Sequence, residues 1–364
     1  MPTAREKMND ATPVPDTWCA HLESSGMRTD DDEKIHFGDP RAEIQSALSG
    51  TVEADLSWLA PIQVQGEDAE TFLQGQFTCD VNSISVDGAR FGAWCDLKGR
   101  VTTLVRLIRT ADGFWMLVPQ ALKTNLLSRL RLAVMRSDVQ ITDASNNNVC
   151  VGIAGSNAHS LLEGSLGFAP REQDAAAASK GLVIDCLPDD HPRFILIGPS
   201  ERMIELWLAL AKHAQPAGHE AWDLLDVLSG IPWIRASTSG EFLPQMIGLK
   251  RLSAVSFTKG CYLGQEVVTR VEHIGKVKRR LHLLHAPTAS TVEIGASIFS
   301  GSESEQAVGV IVGSARHPGG GWRMLAVLTD SALERGEFAL GNEERSPVCV
   351  LEKNFYPPES AENV

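Results

Sequence analysis

An α+β protein in three parts is the fold class this sequence predicts, and three observations predict it. Residues 51–145 alternate strand-like and helix-like apolar patterns in the order strand, helix, strand, strand, helix, strand, as ferredoxin-like units do. Residues 146–280 repeat that mixture. Beyond Arg280 the texture changes to short β-type runs separated by Gly and Ser turns, which predicts a small barrel over 281–355.

Taken in order, residues 1–40 are polar and proline-punctuated and read as a mobile extension. Ile44, Leu48, Val52, Leu56 and Leu59 are spaced close to a helical face, and Pro61 to Val64 follow as a strand. Gly66 turns the chain, and Ala69, Phe72 and Leu73 mark a short helix that Gly75 ends. The polar turn Asp96-Leu97-Lys98-Gly99-Arg100 joins two apolar stretches and reads as a hairpin. Phe114–Pro119 is a further strand, Ala121–Met135 a helix and Val139–Asp143 a returning strand.

In the second part, Val149–Ala154 reads as a strand and Asn157 as a helix cap. The alanine-rich 174–179 reads as a surface loop or helix. Arg193–Pro199 is a buried strand and Glu201–Ala214 a helix with Met203, Ile204, Trp207 and Leu210 inward. Gly230 followed by Pro232 stops the helix that begins near Ala221.

Bulk properties narrow the function. At 364 residues the chain has room for two or three domains. Its net charge of −13 argues against a binder of nucleic-acid backbones, despite the local basic run Lys276-Val277-Lys278-Arg279-Arg280. The seven cysteines show no C-x-x-C pair, which supports neither a disulfide framework nor a zinc site and fits reduced thiols. No apolar run is long enough for a membrane span, and the N-terminus has neither secretory nor transit-peptide character, so the cytoplasm is expected. His273, His282, His285 and His317 form no ligand spacing and read as solvated or packed.

The densest chemistry lies in Ser256-Phe257-Thr258-Lys259-Gly260-Cys261-Tyr262-Leu263-Gly264-Gln265-Glu266 and runs on to Arg270. Ala254-Val255-Ser256-Phe257 reads as a short strand and Lys259-Gly260 as a turn. Gln265–Val271 is helix or strand, since its β-branched residues pull against the helix. Cys261 beside Lys259 has two readings on residue chemistry: a small packed residue, or a thiol made reactive by a neighbouring cation.

Lys259-Gly260-Cys261-Tyr262-Leu263-Gly264-Gln265-Glu266 resembles the K-G-C-[FY]-x-G-Q-E signature of the YgfZ family of folate-binding proteins, relatives of the aminomethyltransferase of the glycine cleavage system. Four more blocks carry the resemblance: Phe72-Leu73-Gln74-Gly75-Gln76 with Thr78 and Asp80; Lys98-Gly99-Arg100; Trp222 and Leu224 with Gly230-Ile231-Pro232; and Glu241, Phe242 and Pro244-Gln245-Met246. Together they cover about residues 55–330.

The resemblance implies an aminomethyltransferase-like fold, two ferredoxin-like α+β units plus a C-terminal β-barrel around a central cavity. Its parts divide as extension 1–40, first unit 41–145, second unit with the signature 146–280 and barrel 281–355. It implies binding of tetrahydrofolate or a derivative. It also implies a role in assembly or repair of iron–sulfur clusters in client enzymes, tRNA-modifying ones among them, and no metal of its own. Carried over residue by residue, Cys261 is the functional thiol and Lys259 its cation. Gly260, Tyr262, Gly264, Gln265 and Glu266 frame the folate site, and Lys98 and Arg100 suit an anionic polyglutamate tail.

Two family carboxylates are absent. Aminomethyltransferases carry a catalytic aspartate shortly after the glycine matching Gly99, where this chain has Val101-Thr102-Thr103. Where they have a G-x-x-G-x-E segment, it has only Gly198-Pro199-Ser200-Glu201. These departures count against aminomethyl transfer. A folate-dependent one-carbon transferase is the alternative function, and it would need Asp80 or Asp96 at the folate.

Overall fold

The structure, a computed structural model, describes residues 15–29, 35–342, 344–351 and 355. Its chain divides into two compact units, each assembled from separate segments. One comprises Met1–Gln76, Val81–Phe91 and Val105–Leu225, and the other Phe77–Asp80, Gly92–Leu104 and Asp226–Val364.

The first unit contains a six-stranded sheet. It runs in the order Ala176–Ser179, Leu182–Cys186, Arg193–Pro199, Asn148–Gly155, Thr51–Asp55, Gln215–Ala217. Thr51–Asp55 pairs antiparallel with Asn148–Gly155, so the strand that sequence order assigns to the first α+β repeat is built into the sheet of the second. One face of this sheet packs Val151, Ile153, Ile184, Phe194 and Leu196 against Met203, Leu206 and Trp207 of the helix Ser200–Leu210. The five-stranded sheet runs Ala89–Cys95, Val101–Thr110, Gly113–Pro119, Leu59–Gln65, Gln140–Asp143.

Arg106 is fully buried in the first unit, bonded through Nε and Nη2 to Asp185 at 2.9 and 2.8 Å and through Nη1 to Asp174 at 2.6 Å. Two carboxylates around one guanidinium compensate a charge that would otherwise be costly to bury.

Several expectations are corrected here. Residues 16–24, assigned to a mobile extension, form the helix Asp16–Ser24, because Trp18 and Leu22 are large apolar groups that the core takes in. The remainder of that expectation, 1–14 and 30–34, lies outside the described residues. The apolar spacing from Ile44 does not continue as a helix beyond Ser49. Asp39 caps Pro40–Ser49 by accepting from Arg41 N and Ala42 N, Gly50 follows, and Val52 lies on a strand. The alanine-rich segment is neither loop nor helix. Ala176–Ser179 is a strand, registered residue for residue on Leu182–Cys186 through a turn at Lys180 and Gly181, both at positive φ. Sheet pairing overrides the helical preference of alanine.

In the second unit six strands close a barrel, Arg279–Ala286, Trp322–Thr329, Ala307–Arg316, Ser297–Phe299, Phe338–Leu340 and Pro347–Val350, the last pairing back onto the first. Leu284, Ile298, Ile311, Met324, Ala326 and Leu328 fill its interior. The expected C-terminal barrel is present, with strands from Arg279 to Val350 among the described residues. No helix among the described residues is long and apolar enough to cross a membrane.

Candidate functional site

Three of the blocks singled out in the sequence meet in the second unit, and Thr78 ties them together. Its N–H donates to Ala93 O at 3.0 Å and its carbonyl accepts from Ser256 N at 2.9 Å. Its Oγ1 accepts from Ala93 N at 2.9 Å and donates to Ala254 O. One buried hydroxyl thus links the segment Phe77–Asp80, the strand before the Lys98-Gly99-Arg100 turn, and the entry to the signature. Ala254–Phe257 is not the expected strand: it bends at Phe257, and its backbone bonds singly to Leu249 and Thr78 rather than along a ladder.

Lys259 braces the same segment. Its Nζ donates to Phe77 O at 2.6 Å and to Cys79 O at 2.8 Å, the carbonyls either side of Thr78, and lies 5.2 Å from the centroid of the Tyr262 ring. The sequence assigned this cation to Cys261, whereas its hydrogen bonds hold backbone. Burial lowers its pKa to about 8, with Cys79 and Asp80 acting in the opposite direction.

Gln265–His273 is a helix, which resolves the ambiguity of its β-branched residues. Gly264 at φ +80 opens it, Glu266 stands in its first turn and pairs with Arg270, and Arg270 and His273 occupy its last turn, all favourable to the helix dipole. Gln265 folds back over the loop: its Oε1 accepts from Tyr262 N at 3.3 Å and its Nε2 reaches Lys259 O at 3.5 Å. From the preceding block, Gln245 Nε2 donates to Val268 O at 2.7 Å.

The Lys98-Gly99-Arg100 turn is built by Asp96, whose Oδ1 accepts from Lys98 N at 2.8 Å and Arg100 N at 2.9 Å. Arg100 Nη1 donates to Glu241 O at 2.8 Å, and the strand edge at Val101 bonds to both Gly240 and Phe242. Lys98 is exposed and hydrogen-bonds through its backbone, so of the two cations assigned to a polyglutamate tail Arg100 also has a structural task.

Cys261 is exposed, on the loop between the braced Lys259 and the helix cap. Gly260 beside it is open, with nothing within 4 Å of an added Cβ. Tyr262, next in sequence, is buried. Its hydroxyl has no partner among the described residues, and burial followed by Cys95 pushes its pKa above the ordinary phenol range. Trp94 Nε1 and Gln245 Oε1 are likewise buried and unpartnered among the described residues. These are one indole donor, one amide acceptor and one hydroxyl able to do either.

Sequence reasoning missed Thr78, Trp94 and Gln245 as individual contributors although each falls inside or beside a recognised block. Position within a motif was the available signal. What no residue pattern announces is that Lys259 binds two backbone carbonyls.

Residues 30–176 match the GCVT N-terminal domain family. A protein described as tRNA-modifying protein YgfZ from Colwellia psychrerythraea is 34% identical over 241 residues, 66% of this chain and 73% of that one. Another of the same description, from Photobacterium profundum, is 31% identical over 291 residues, 78% of this chain and 84% of that one. The crystal structure of glycine cleavage system aminomethyltransferase T from Bartonella henselae superposes with a TM-score of 0.74 at 15% identity, covering 93% of this chain and 97% of that one. That likeness shows the fold alone.

Proposed function

The chain belongs to the YgfZ family, and from that premise we propose that it is a reduced-folate-binding protein supporting assembly or repair of iron–sulfur clusters in client enzymes, including those that modify tRNA. The observation that carries this reading is Cys261: an exposed thiol on a loop whose two ends are held by Lys259 and by Gln265 with Gly264. A mobile surface thiol needs no such bracing. One that must meet a sulfur, iron or redox partner in a fixed place does.

For a tetrahydrofolate or derivative, the second unit has buried polar atoms with no partner among the described residues. Trp94 Nε1, Tyr262 Oη and Gln245 Oε1 offer donors and acceptors to the polar edge of a pterin, and the exposed ammonium of Lys98 suits a polyglutamate tail. When bound, the folate supplies one-carbon or redox chemistry. The chain's own part is to orient the ring and present the thiol. The printed description of the relatives as tRNA-modifying proteins favours tRNA-modifying enzymes as clients.

Two measurements test this. Equilibrium dialysis with tetrahydrofolate is expected to show saturable uptake, reduced in Tyr262→Phe and Gln245→Leu; no uptake by the intact chain would refute the folate assignment. Cys261→Ala in a deletion background is expected to lower the activity of an iron–sulfur tRNA-modifying enzyme. Full rescue by that variant would remove the thiol from the function and leave folate binding to be judged by the dialysis.

A further inference from the structure

Arg323 on the strand Trp322–Thr329 stands directly opposite His285 on Arg279–Ala286, and its Nη1 contacts His285 Nδ1. Leu284, Ala286, Trp322 and Met324 fill the barrel interior, so alternation turns His285 and Arg323 to its outer face. The turn that joins Ala307–Arg316 to Trp322 adds His317, whose Nδ1 accepts from Gly319 N at 3.1 Å and whose proton is therefore on Nε2. Arg316 pairs with Trp322 across the same turn, its guanidinium carbon 5.5 Å from that ring's centroid. Gly321, at φ +66, lets this turn close on its neighbours: an added Cβ would lie 2.4 Å from Ala286 O and 3.0 Å from His285 Cε1.

Four groups that carry or can take positive charge thus share one rim of the barrel in a chain of net charge −13, and all four are half-buried. His285 Nδ1 also lies 3.1 Å from Trp322 O, and a guanidinium opposite this imidazole repels it whenever the ring is protonated. His285, His317 and Arg323 nonetheless form no ion pair with a carboxylate among the described residues. Burial lowers the pKa of His317, and Arg323 and His285 lower it further; burial also lowers that of Arg323. On the other side of His285 the neighbouring strand presents the exposed Cys349, which adds no fixed charge. An arrangement of this kind is stabilised by an anion.

We infer that this rim is a binding site for a phosphate-class oxyanion carried by a small molecule, held by the Arg323 guanidinium and the imidazole N–H groups of His285 and His317. A guanidinium fork with separate N–H donors on two strands and a turn matches the several oxygens of a tetrahedral oxyanion. The confinement of the patch to one turn and its two strands, against a strongly acidic whole, suits one phosphoryl group rather than a nucleic-acid backbone.

The test is histidine Cε1–H NMR on the full chain, with His285→Gln and His317→Gln fixing the assignments, during titration with inorganic phosphate and then pyrophosphate. Expected are saturable shifts of both resonances, and an apparent affinity that rises as pH falls, because a bound anion favours the charged form of His317, which burial and the neighbouring Arg323 and His285 disfavour. Arg323→Gln is expected to abolish saturation. His317→Gln, on the turn and independent of strand register, is expected to weaken binding by about tenfold through loss of a charge-assisted bond. Shifts that stay linear in phosphate and pyrophosphate, or saturation unchanged in both variants, would overturn the assignment. So would shifts produced by an RNA oligonucleotide when phosphate and pyrophosphate produce none, which would make the rim a nucleic-acid surface instead.

Discussion

Gly264 and Gly99 meet backbone to backbone. A Cβ built on Gly264 would lie 2.4 Å from Asp96 O and 2.8 Å from Gly99 Cα, and one built on Gly99 would lie 3.1 Å from Gly264 O. Both residues sit at positive φ, +80 and +71. The cap of the signature helix and the Lys98-Gly99-Arg100 turn therefore approach as closely as two chains without side chains allow. Gly264→Ala introduces a strained φ and a clash with a backbone oxygen that cannot rotate away. It should destabilise the protein by about 2 kcal/mol or more, whereas Gly260→Ala, in open space, should leave the thermal midpoint near wild type. Equal midpoints for the two variants would show that the glycine contact is not needed.

Lys259→Met keeps the aliphatic stem and removes the donor to Phe77 O and Cys79 O. Two carbonyls lose that partner, and stability at neutral pH should fall by roughly 1–3 kcal/mol. The wild type has a further mark. Its folded pKa of about 8 lies below the ordinary 10.5, so between those values the unfolded chain holds a proton that the folded one has shed. Wild-type stability should gain a rising component over that window, and the Met variant should lack it. Denaturant midpoints taken from pH 7 upward measure both, and parallel pH profiles would exclude the assigned burial.

Thiol exposure gives a chemical check on the site. Cys261 and Cys349 are exposed, while Cys79, Cys95, Cys150 and Cys186 are buried. Burial raises the pKa of Cys95, Cys150 and Cys186 well above the ordinary thiol value. Iodoacetamide should modify Cys261 and Cys349 of the native protein first, and peptide mapping by mass spectrometry should find the four buried positions unlabelled until denaturant is added. Early labelling of Cys79 or Cys95 would contradict the packing of the segment under Lys259.

The barrel was legible in the sequence because its strands are apolar runs set apart by glycine and serine turns, so that local pattern and final pairing agree. Ala176–Ser179 was not, since four small residues carry no period and only the partner Leu182–Cys186 makes them a strand. The helix Asp16–Ser24 was hidden by the polar residues around Trp18 and Leu22. At the site the residues were legible and their partners were not. Lys259 and Cys261 stand two positions apart in sequence, yet the ammonium turns to carbonyls of a segment some 180 positions away, a contact fixed by the tertiary fold.

Glu53 offers the sharpest pH test, in the first unit. It stands on the strand Thr51–Asp55 opposite Ile153, which belongs to the apolar core, and it is fully buried with neither carboxyl oxygen bonded among the described residues. Desolvation raises its pKa from 4.5 to about 9, so at neutral pH the folded protein keeps this carboxyl protonated. The unfolded chain releases that proton above its own value of 4.5. Between the two pKa values the native state thus binds the extra proton, and stability from this group falls as pH rises, by about 1.4 kcal/mol per pH unit at most. Below 4.5 the effect is absent, and above about 9 the loss is complete. Glu53→Gln preserves shape and neutrality. It should match the wild type near pH 4.5, then exceed it by a margin that widens up to about pH 9. Thermal midpoints of the two proteins over that range decide the matter: curves that stay parallel would show that Glu53 ionises in the fold as freely as in water.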